Sequence, residues 1–420
     1  MKKRVLGILL TGLVVGGSAA YVVHANPSVT GGSSVSAATY SKGFTDIAAD
    51  FWAASQIADA RGQGYIDGYA DGSFQPNRKV SRAEFVKMAV VALHINVDSA
   101  GSNPWYKVYM DAAKKASIYA DGDFSDNNFD APMQRLEMAK IAVRAAGQNT
   151  TDTKKWMYLA TTSGLIQGMD DAGGLGIEEA TNRAQSVTII GRIQNIKSGK
   201  TVPADKYAIS AAEIYWHKTN ILTMLPQYFA ATYNKFGTKF RTDLLRFDGK
   251  DGYSEVEKYV VVDMDDPNDP NRNLITSDFR WRKKYKTSVE YAVTPPSNAY
   301  ALLSINHIVV DASETINNFR FAQIDIGPFN SNGTVDDSGK LIDVTTFSPF
   351  IEEYKMLLSG YRNIEKGHHD IRFITGQLLP KGDLFKNDTQ VTVHREAAVE
   401  LGEQVVNQIY YSTIDYSLSR

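Results

Sequence analysis

The stretch Gly68-Tyr69-Ala70-Asp71-Gly72-Ser73-Phe74-Gln75-Pro76, followed by Ser81-Arg82-Ala83-Glu84, decides how this chain is organised. Gly, Asp, Ser and Pro crowded together mark a turn-rich loop. Ser81-Arg82-Ala83-Glu84 fits a capping box, in which Ser81 at the N-cap and Glu84 three residues on each bond the other's backbone N–H. The box opens a helix over Ser81 to Leu93, with Phe85, Met88, Ala89 and Ala92 along one face. Arg82 then stands at the first helical position, beside N–H groups and a dipole end that favour an anion.

Upstream of the loop, Phe51 to Ala60 carries Trp52, Ile57 and Ala60 at helix-compatible intervals, and Gly62 and Gly64 supply stop signals. The unit is therefore helix, loop, helix. It recurs with a Trp and an Arg at matching places: Trp52 and Arg82, Trp105 and Arg135, Trp156 and Arg183, spaced 30, 30 and 27 residues apart. Self-similarity at roughly 50 residues marks an array. Asn182-Arg183-Ala184-Gln185 is the same capping box in allowed variants, whereas Gln134-Arg135-Leu136-Glu137 keeps Arg and Glu behind a poor N-cap. The expected units span 40–100, 101–149 and 150–200.

Residues 1–25 read as a signal peptide: Lys2, Lys3 and Arg4, then an apolar stretch from Val5 to Ala20, then small residues at Val23-His24-Ala25 or Ser18-Ala19-Ala20 for cleavage. An uncleaved N-terminal anchor is the alternative. Residues 26–39, rich in Pro, Gly, Ser, Thr and Ala, read as a flexible spacer. No later stretch reaches the ~20 apolar residues that span a bilayer, so no membrane span is expected after signal cleavage. There are no cysteines, so disulfides play no part. A length of 420 residues allows two to four domains, and a net charge of −2 gives no global field to draw in nucleic acid or anionic lipid. No basic stripe with interleaved aromatics stands out, which sets nucleic acid aside as a partner.

The quoted residues resemble the S-layer homology (SLH) domain of bacterial cell-surface proteins. Phe44-Thr45-Asp46, Phe51-Trp52-Ala53, the 68–76 loop and Ser81-Arg82-Ala83-Glu84 fall in that family's order and spacing. The second unit keeps Pro104-Trp105, Tyr119-Ala120-Asp121-Gly122-Asp123-Phe124, Arg135 and Glu137. The third keeps Trp156, Gly164-Leu165-Ile166-Gln167-Gly168 and Arg183, with Gln185 where the family usually has Glu. The resemblance covers about 160 residues. It implies a mainly α pseudo-trimer of helix-loop-helix repeats whose grooves bind secondary cell-wall polysaccharide, often ending in a pyruvylated sugar.

The residues suit that implication. Arg82, Arg135 and Arg183 offer planar forks of donors to a pyruvyl carboxylate. Gly68 and Gly168 would let backbone approach a sugar. Trp52, Trp105 and Trp156 read first as core residues of the opening helices and second as sugar platforms. Asp46, Asp71 and Asp121 read first as turn and capping residues and second as ligand contacts. Three modest sites on one polymer would add avidity.

Ser198 to Pro203 reads as a boundary, and 205–420 as an α+β C-terminal domain. Helices are expected over Ala208 to Phe236, interrupted near Pro226, and over Phe350 to Leu358 and Arg395 to Tyr411. Strands are expected over Lys258 to Asp263, Ser288 to Val293, Ala301 to Val310 and Phe319 to Ile326. The carboxylate-rich run from Asp263 to Asp269 lacks the Gly and Glu of a calcium loop, and His368-His369-Asp370 has no further His at ligand spacing. No metal or other cofactor is expected. The reading is a non-catalytic exported protein, secreted and attached to the cell wall, that displays its C-terminal domain. An SLH-anchored extracellular hydrolase with its active site in 205–420 and an S-layer lattice subunit stand as alternatives.

Overall fold

The computed structural model describes residues 43–98, 103–226, 229, 240–285, 288–320, 324–327, 333–358, 361–382, 390–396, 401–402 and 406–413. The expected leader and spacer lie outside the described residues.

Residues 43–200 form three helix pairs: α1 (Ala54–Gly62) with α2 (Arg82–Ala92), α3 (Lys107–Lys115) with α4 (Arg135–Ala145), and α5 (Trp156–Thr162) with α6 (Arg183–Lys197). The second helix of each pair supplies most of the shared core, which includes Phe85, Met138, Ile141, Val187 and Ile190. The pairs close head to tail. Helix α2 packs on α3, α4 on α5, and α6 returns to α1.

At the centre the closure is a ring of backbone bonds. Met133 N–H donates to Val80 O at 2.8 Å, Thr181 N–H to Met133 O at 2.8 Å, and Val80 N–H to Thr181 O at 3.0 Å. Each of these residues is buried and immediately precedes an N-cap, Ser81, Gln134 or Asn182, where the backbone is still extended and its polar groups face sideways.

The chain then enters α7 (Lys206–His217) and the short α8 (Ile221–Met224). Asp205 caps α7 by accepting from Tyr207 N at 3.0 Å and Ala208 N at 3.1 Å. Fully buried Glu213 turns the corner into α8, accepting from Leu222 N at 2.9 Å and Thr223 N at 2.7 Å. Helix α7 also leans on the third pair, with Trp216 against Tyr158 at 4.9 Å and Trp216 Nε1 donating to Asp152 at 2.7 Å.

The strands are β1 (Arg246–Gly249), β2 (Gly252–Asp263), β3 (Phe279–Tyr285), β4 (Ser288–Ala292), β5 (Ala299–Ala312), β6 (Ile316–Arg320), β7 (Ile324–Gly327), β8 (Thr345–Ile351), β9 (Met356–Leu357), β10 (Tyr361–Ile364), β11 (Gly367–Pro380), β12 (Gln390–Glu396) and β13 (Val406–Thr413). Eight of them form one antiparallel sheet, ordered β1-β2-β5-β11-β8-β3-β4, with β9 beside β8. β10 pairs with β6, and β7, β12 and β13 make a third sheet. Long β5 and β11 run side by side in unbroken register from Gly367 opposite Ala312 to Pro380 opposite Ala299. One face of the large sheet packs a core of Val260, Val262, Trp281, Leu303, Phe347 and Leu378.

The expected class, a mainly α pseudo-trimer followed by an α+β domain, does not describe this chain. Beyond Met224 the described residues hold no α-helix and are dominated by the eight-stranded sheet, so the C-terminal part is β-rich. Two expected helices are strands. Phe350 to Leu358 is a hairpin, with Phe350 opposite Leu357 and Lys355 at φ 52° in the turn. Over Arg395 to Tyr411 the described residues are the end of β12, Leu401 and Gly402 (φ 86°), and most of β13, with β12 and β13 paired through Val393 opposite Tyr410; 397–400 and 403–405 lie outside the described residues. Flanking Val-Thr-Val and Ile-Tyr-Tyr prefer a pleated surface, and cross-strand pairing decides. The expected strand from Phe319 to Ile326 is also not continuous, since its ends belong to β6 and β7 in different sheets.

Candidate functional site

Each of the three sequence-picked arginines reaches from the first turn of its helix into the loop of the next pair around the ring. The three environments differ.

Arg82 is buried and fully partnered. Its Nε and Nη2 meet the two oxygens of Glu137 at 3.0 and 2.6 Å, Nη1 meets Asp126 at 2.6 Å and Asn128 O at 2.9 Å, and Nη2 also meets Ser125 Oγ at 2.8 Å. The Glu137 carboxylate raises the guanidinium pKa above its ordinary value. No donor is left over for an external anion.

Arg135 bonds only carbonyls, Leu175 O at 2.8 Å and Gln167 O at 2.9 Å. It is 5% exposed, and burial pushes its pKa down to about 10. Arg183 repeats that pattern on the first pair's loop, with Nε on Phe74 O at 2.9 Å and Nη2 on Asp67 O at 2.8 Å. It is only half-buried, and burial again lowers its pKa. Its guanidinium lies 4.5 Å over the Phe74 ring and 5.2 Å from that of Tyr69. Among the described residues no carboxylate pairs with Arg135 or Arg183. The difference lies in the capping residue: Glu137 faces Arg82, whereas Glu84 at the matching place pairs with Arg78 and Gln185 is neutral.

The helix N-termini themselves offer nothing to a ligand. Arg82 N and Ala83 N donate to Ala131 O and Phe129 O, Arg135 N and Leu136 N to Glu179 O and Ile177 O, and Arg183 N and Ala184 N to Arg78 O and Pro76 O. The box residues take the remainder: Ser81 Oγ accepts from Glu84 N at 3.2 Å, and Glu84 accepts from Ser81 N at 2.9 Å.

The tryptophans divide. Trp156 is 4% exposed, beneath Arg144 at 4.5 Å, whereas Trp52 and Trp105 are each 47% exposed. Trp156 begins α5, while Trp52 and Trp105 sit two residues before α1 and α3. That offset turns the side chain to another direction, and the shorter Trp-to-Arg spacing of 27 is its sequence trace. The core reading thus holds for Trp156 and fails for the other two, whose neighbours Phe51 and Tyr106 pack against the core instead.

Gly68 and Gly168 serve packing. A Cβ on Gly68 would lie 2.6 Å from the Phe44 ring, and one on Gly168 would lie 2.5 Å from Gly173 Cα. Asp46 holds the loop by accepting from Phe74 N and Gln75 N, both at 2.7 Å. Asp71 closes a turn on Ser73 N at 2.9 Å, and Asp121 pairs with Lys114 in solvent.

In the β-rich part, Asp263 is engaged by Lys381, and Asp370 by His307 at 2.8 Å. His368 and Asp370 alternate with His369 along β11, so the three do not converge: His368 meets Asp311 and His369 meets Glu365 O. Sequence reasoning passed over two features. Glu137 is the partner of Arg82, legible only once the ring is known. Arg280, Arg282, Lys283 and Lys284 crowd one strand, a run visible in the sequence itself.

Residues 43–86 match the family model of the S-layer homology domain. The chain is 34% identical over 113 residues, 25% of its length, to an amylopullulanase of Thermoanaerobacterium thermosulfurigenes, of which it covers 6%. It is 28% identical over 173 residues, 41% of its length, to cell surface glycoprotein 1 of Acetivibrio thermocellus, again covering 6%. It is 28% identical over 113 residues, 25% of its length, to an S-layer protein of Bacillus thuringiensis subsp. finitimus, of which it covers 14%. The chain therefore spans only a small part of these relatives.

Proposed function

We propose, from the premise that this chain carries an S-layer homology domain, that its helical part holds an exported protein to the outside of a bacterial cell by binding a secondary wall polysaccharide. The ligand group is a carboxylate of the pyruvyl-ketal kind, and residues 205–420 are the displayed part.

The observation that carries this reading is the state of Arg183. Its guanidinium is oriented by two backbone carbonyls and has no carboxylate partner among the described residues, and its side chain still reaches solvent. Carbonyl oxygens fix the fork without neutralising it, so a charge remains for an incoming anion. Arg135 has the same bonding in a more enclosed place and is the secondary position. Arg82 is neutralised from within and keeps the ring together. Exposed Trp52 and Trp105 suit the apolar face of a sugar ring, and Trp156 does not.

The test is retention of the purified protein on sacculi of its source bacterium. Native sacculi, sacculi stripped of polysaccharide and sacculi lacking the pyruvyl group are compared. Retention that needs both polymer and pyruvyl group is the expected result. Retention indifferent to both removes the reading.

A further inference from the structure

We infer that a pocket beside the start of β3 binds a small aromatic carboxylate. The pocket has a volume of about 210 Å³ and lies where three segments meet: the loop after β2, the first residue of β3 and the chain leaving β4. Its floor is apolar. Met264, Phe279 and Phe347 are all buried and belong to the core on that face of the large sheet, and the two Phe rings meet at 4.9 Å. Its mouth is open, since Val293 is 61% exposed and Ser277 is exposed as well. An apolar cavity of about 150 Å³ admits benzene, so this one has room for a single ring and a small substituent.

Arg272 is the one charged residue on the lining, and it is half-buried. Its Nη1 donates to three carbonyls of the loop it closes, Met264 O at 2.9 Å and Asp263 O and Asp266 O at 3.3 Å. Among the described residues no carboxylate pairs with it. The carboxylates of that loop are engaged elsewhere. Lys381 holds Asp263 and Asp265, the Tyr207 hydroxyl donates to Asp266, and Asp269 accepts from Asp263 N and Asn271 N. Carbonyl oxygens therefore fix the guanidinium at the wall without cancelling its charge.

An apolar concavity with one fixed polar group is the usual build of a small-molecule site. A ring against Phe279 and Phe347, with its carboxylate toward Arg272, meets both halves of this one. The hydroxyls of a sugar would find no partner on Met264, Phe279 and Phe347, so the ligand class differs from that of the helical part.

Benzoate, benzyl alcohol and acetate are titrated into the full-length protein, with binding read by calorimetry and ligand-observed NMR. Benzoate should bind about tenfold tighter than either of the others, since benzyl alcohol lacks the charge and acetate lacks the ring. Arg272→Met should bring benzoate to within about twofold of benzyl alcohol. Ser277→Trp, at its exposed place on the rim, should fill the mouth and weaken both about fivefold or more. Arg183→Ala should leave all three affinities unchanged, so this pocket stands or falls apart from the helical part. Arg272 also braces its loop, and where Arg272→Met lowers the melting temperature Ser277→Trp decides alone. Absence of benzoate binding, equal affinity for benzoate and benzyl alcohol, benzoate binding that survives Ser277→Trp, or its loss in Arg183→Ala overturns the proposal.

Discussion

Arg82 and Glu137 face each other across the junction of two helix pairs in a two-pronged bond, Nε to Oε2 at 3.0 Å and Nη2 to Oε1 at 2.6 Å, and both side chains are almost sealed from water. The pair converts what the motif presents as a ligand site into a fastening. Glu137→Ala leaves the buried guanidinium with exposed Asp126 as its remaining carboxylate partner and should lower stability by about 3 kcal/mol. Arg82→Met with Glu137→Leu should recover part of that loss, because the one carboxylate it leaves without a partner, Asp126, is exposed to solvent, while Ser125 N and Gln134 N lose their acceptor. Urea denaturation of the three variants and the parent checks both statements.

Arg183 should behave in the opposite way. Its removal strands no carboxylate, so Arg183→Ala should melt closer to the parent than Arg82→Ala does. It should weaken retention on polysaccharide-bearing sacculi by about 1–3 kcal/mol, the worth of a charged hydrogen bond. Equal retention of Arg183→Ala and parent, measured as bound fraction against sacculus concentration, would count against Arg183 as the contact.

Thr181 is fully buried on the central ring, and its hydroxyl has no hydrogen-bond partner among the described residues. Thr181→Val removes that hydroxyl and leaves the backbone bonds to Met133 and Val80 in place. The variant should match or exceed the parent by up to about 1 kcal/mol in thermal or urea unfolding, despite altering a buried core residue.

Gly173 lies at φ 72° with its missing Cβ only 2.3 Å from Tyr207 C at the start of α7. Gly173→Ala adds left-handed strain and pushes α7 away from the third pair's loop. A loss of at least about 2 kcal/mol is expected, with faster proteolysis near 200–205. Gly62→Ala, where nothing lies within 4 Å, is the control.

Asp266 accepts from the Tyr207 hydroxyl, which holds its carboxyl below the usual carboxylate range. A lowered folded pKa gives stability that is full above the unfolded value near pH 4 and is lost as pH falls through the folded one. Solvent limits the effect to below about 1 kcal/mol. The melting-temperature gap between parent and Tyr207→Phe should therefore be present at pH 7 and shrink toward zero near pH 2.

The helical units were legible because their signals are local. Ser81 and Glu84 announce a helix start, and the Trp and Arg spacings announce recurrence. What those arginines touch was not legible, since Arg82 meets a residue 55 positions away and Arg183 one 116 positions away. The β-rich part was harder for a related reason. Val393 is a strand residue because Tyr410 and Ile326 flank it, and no window short enough to show periodicity contains all three. Where β-branched content ran long and unbroken, as in β2 and β5, the strands were expected and found.

The backbone ring of Val80, Met133 and Thr181 sets the smallest piece of this chain that can be moved. A fusion carrying only the first helix pair would inherit the Ser81 box and Arg82. It would leave Val80 O, Arg82 N and Ala83 N without the second pair's Met133, Ala131 and Phe129, and Phe74 O without Arg183. Such a graft should be insoluble or unfolded, whereas a cassette of residues 43–217, which keeps α7 with Ala212 in the helical core and Trp216 on Tyr158, should transfer intact. Domain shuffling would be held to the same rule, and the three pairs would travel together or not at all.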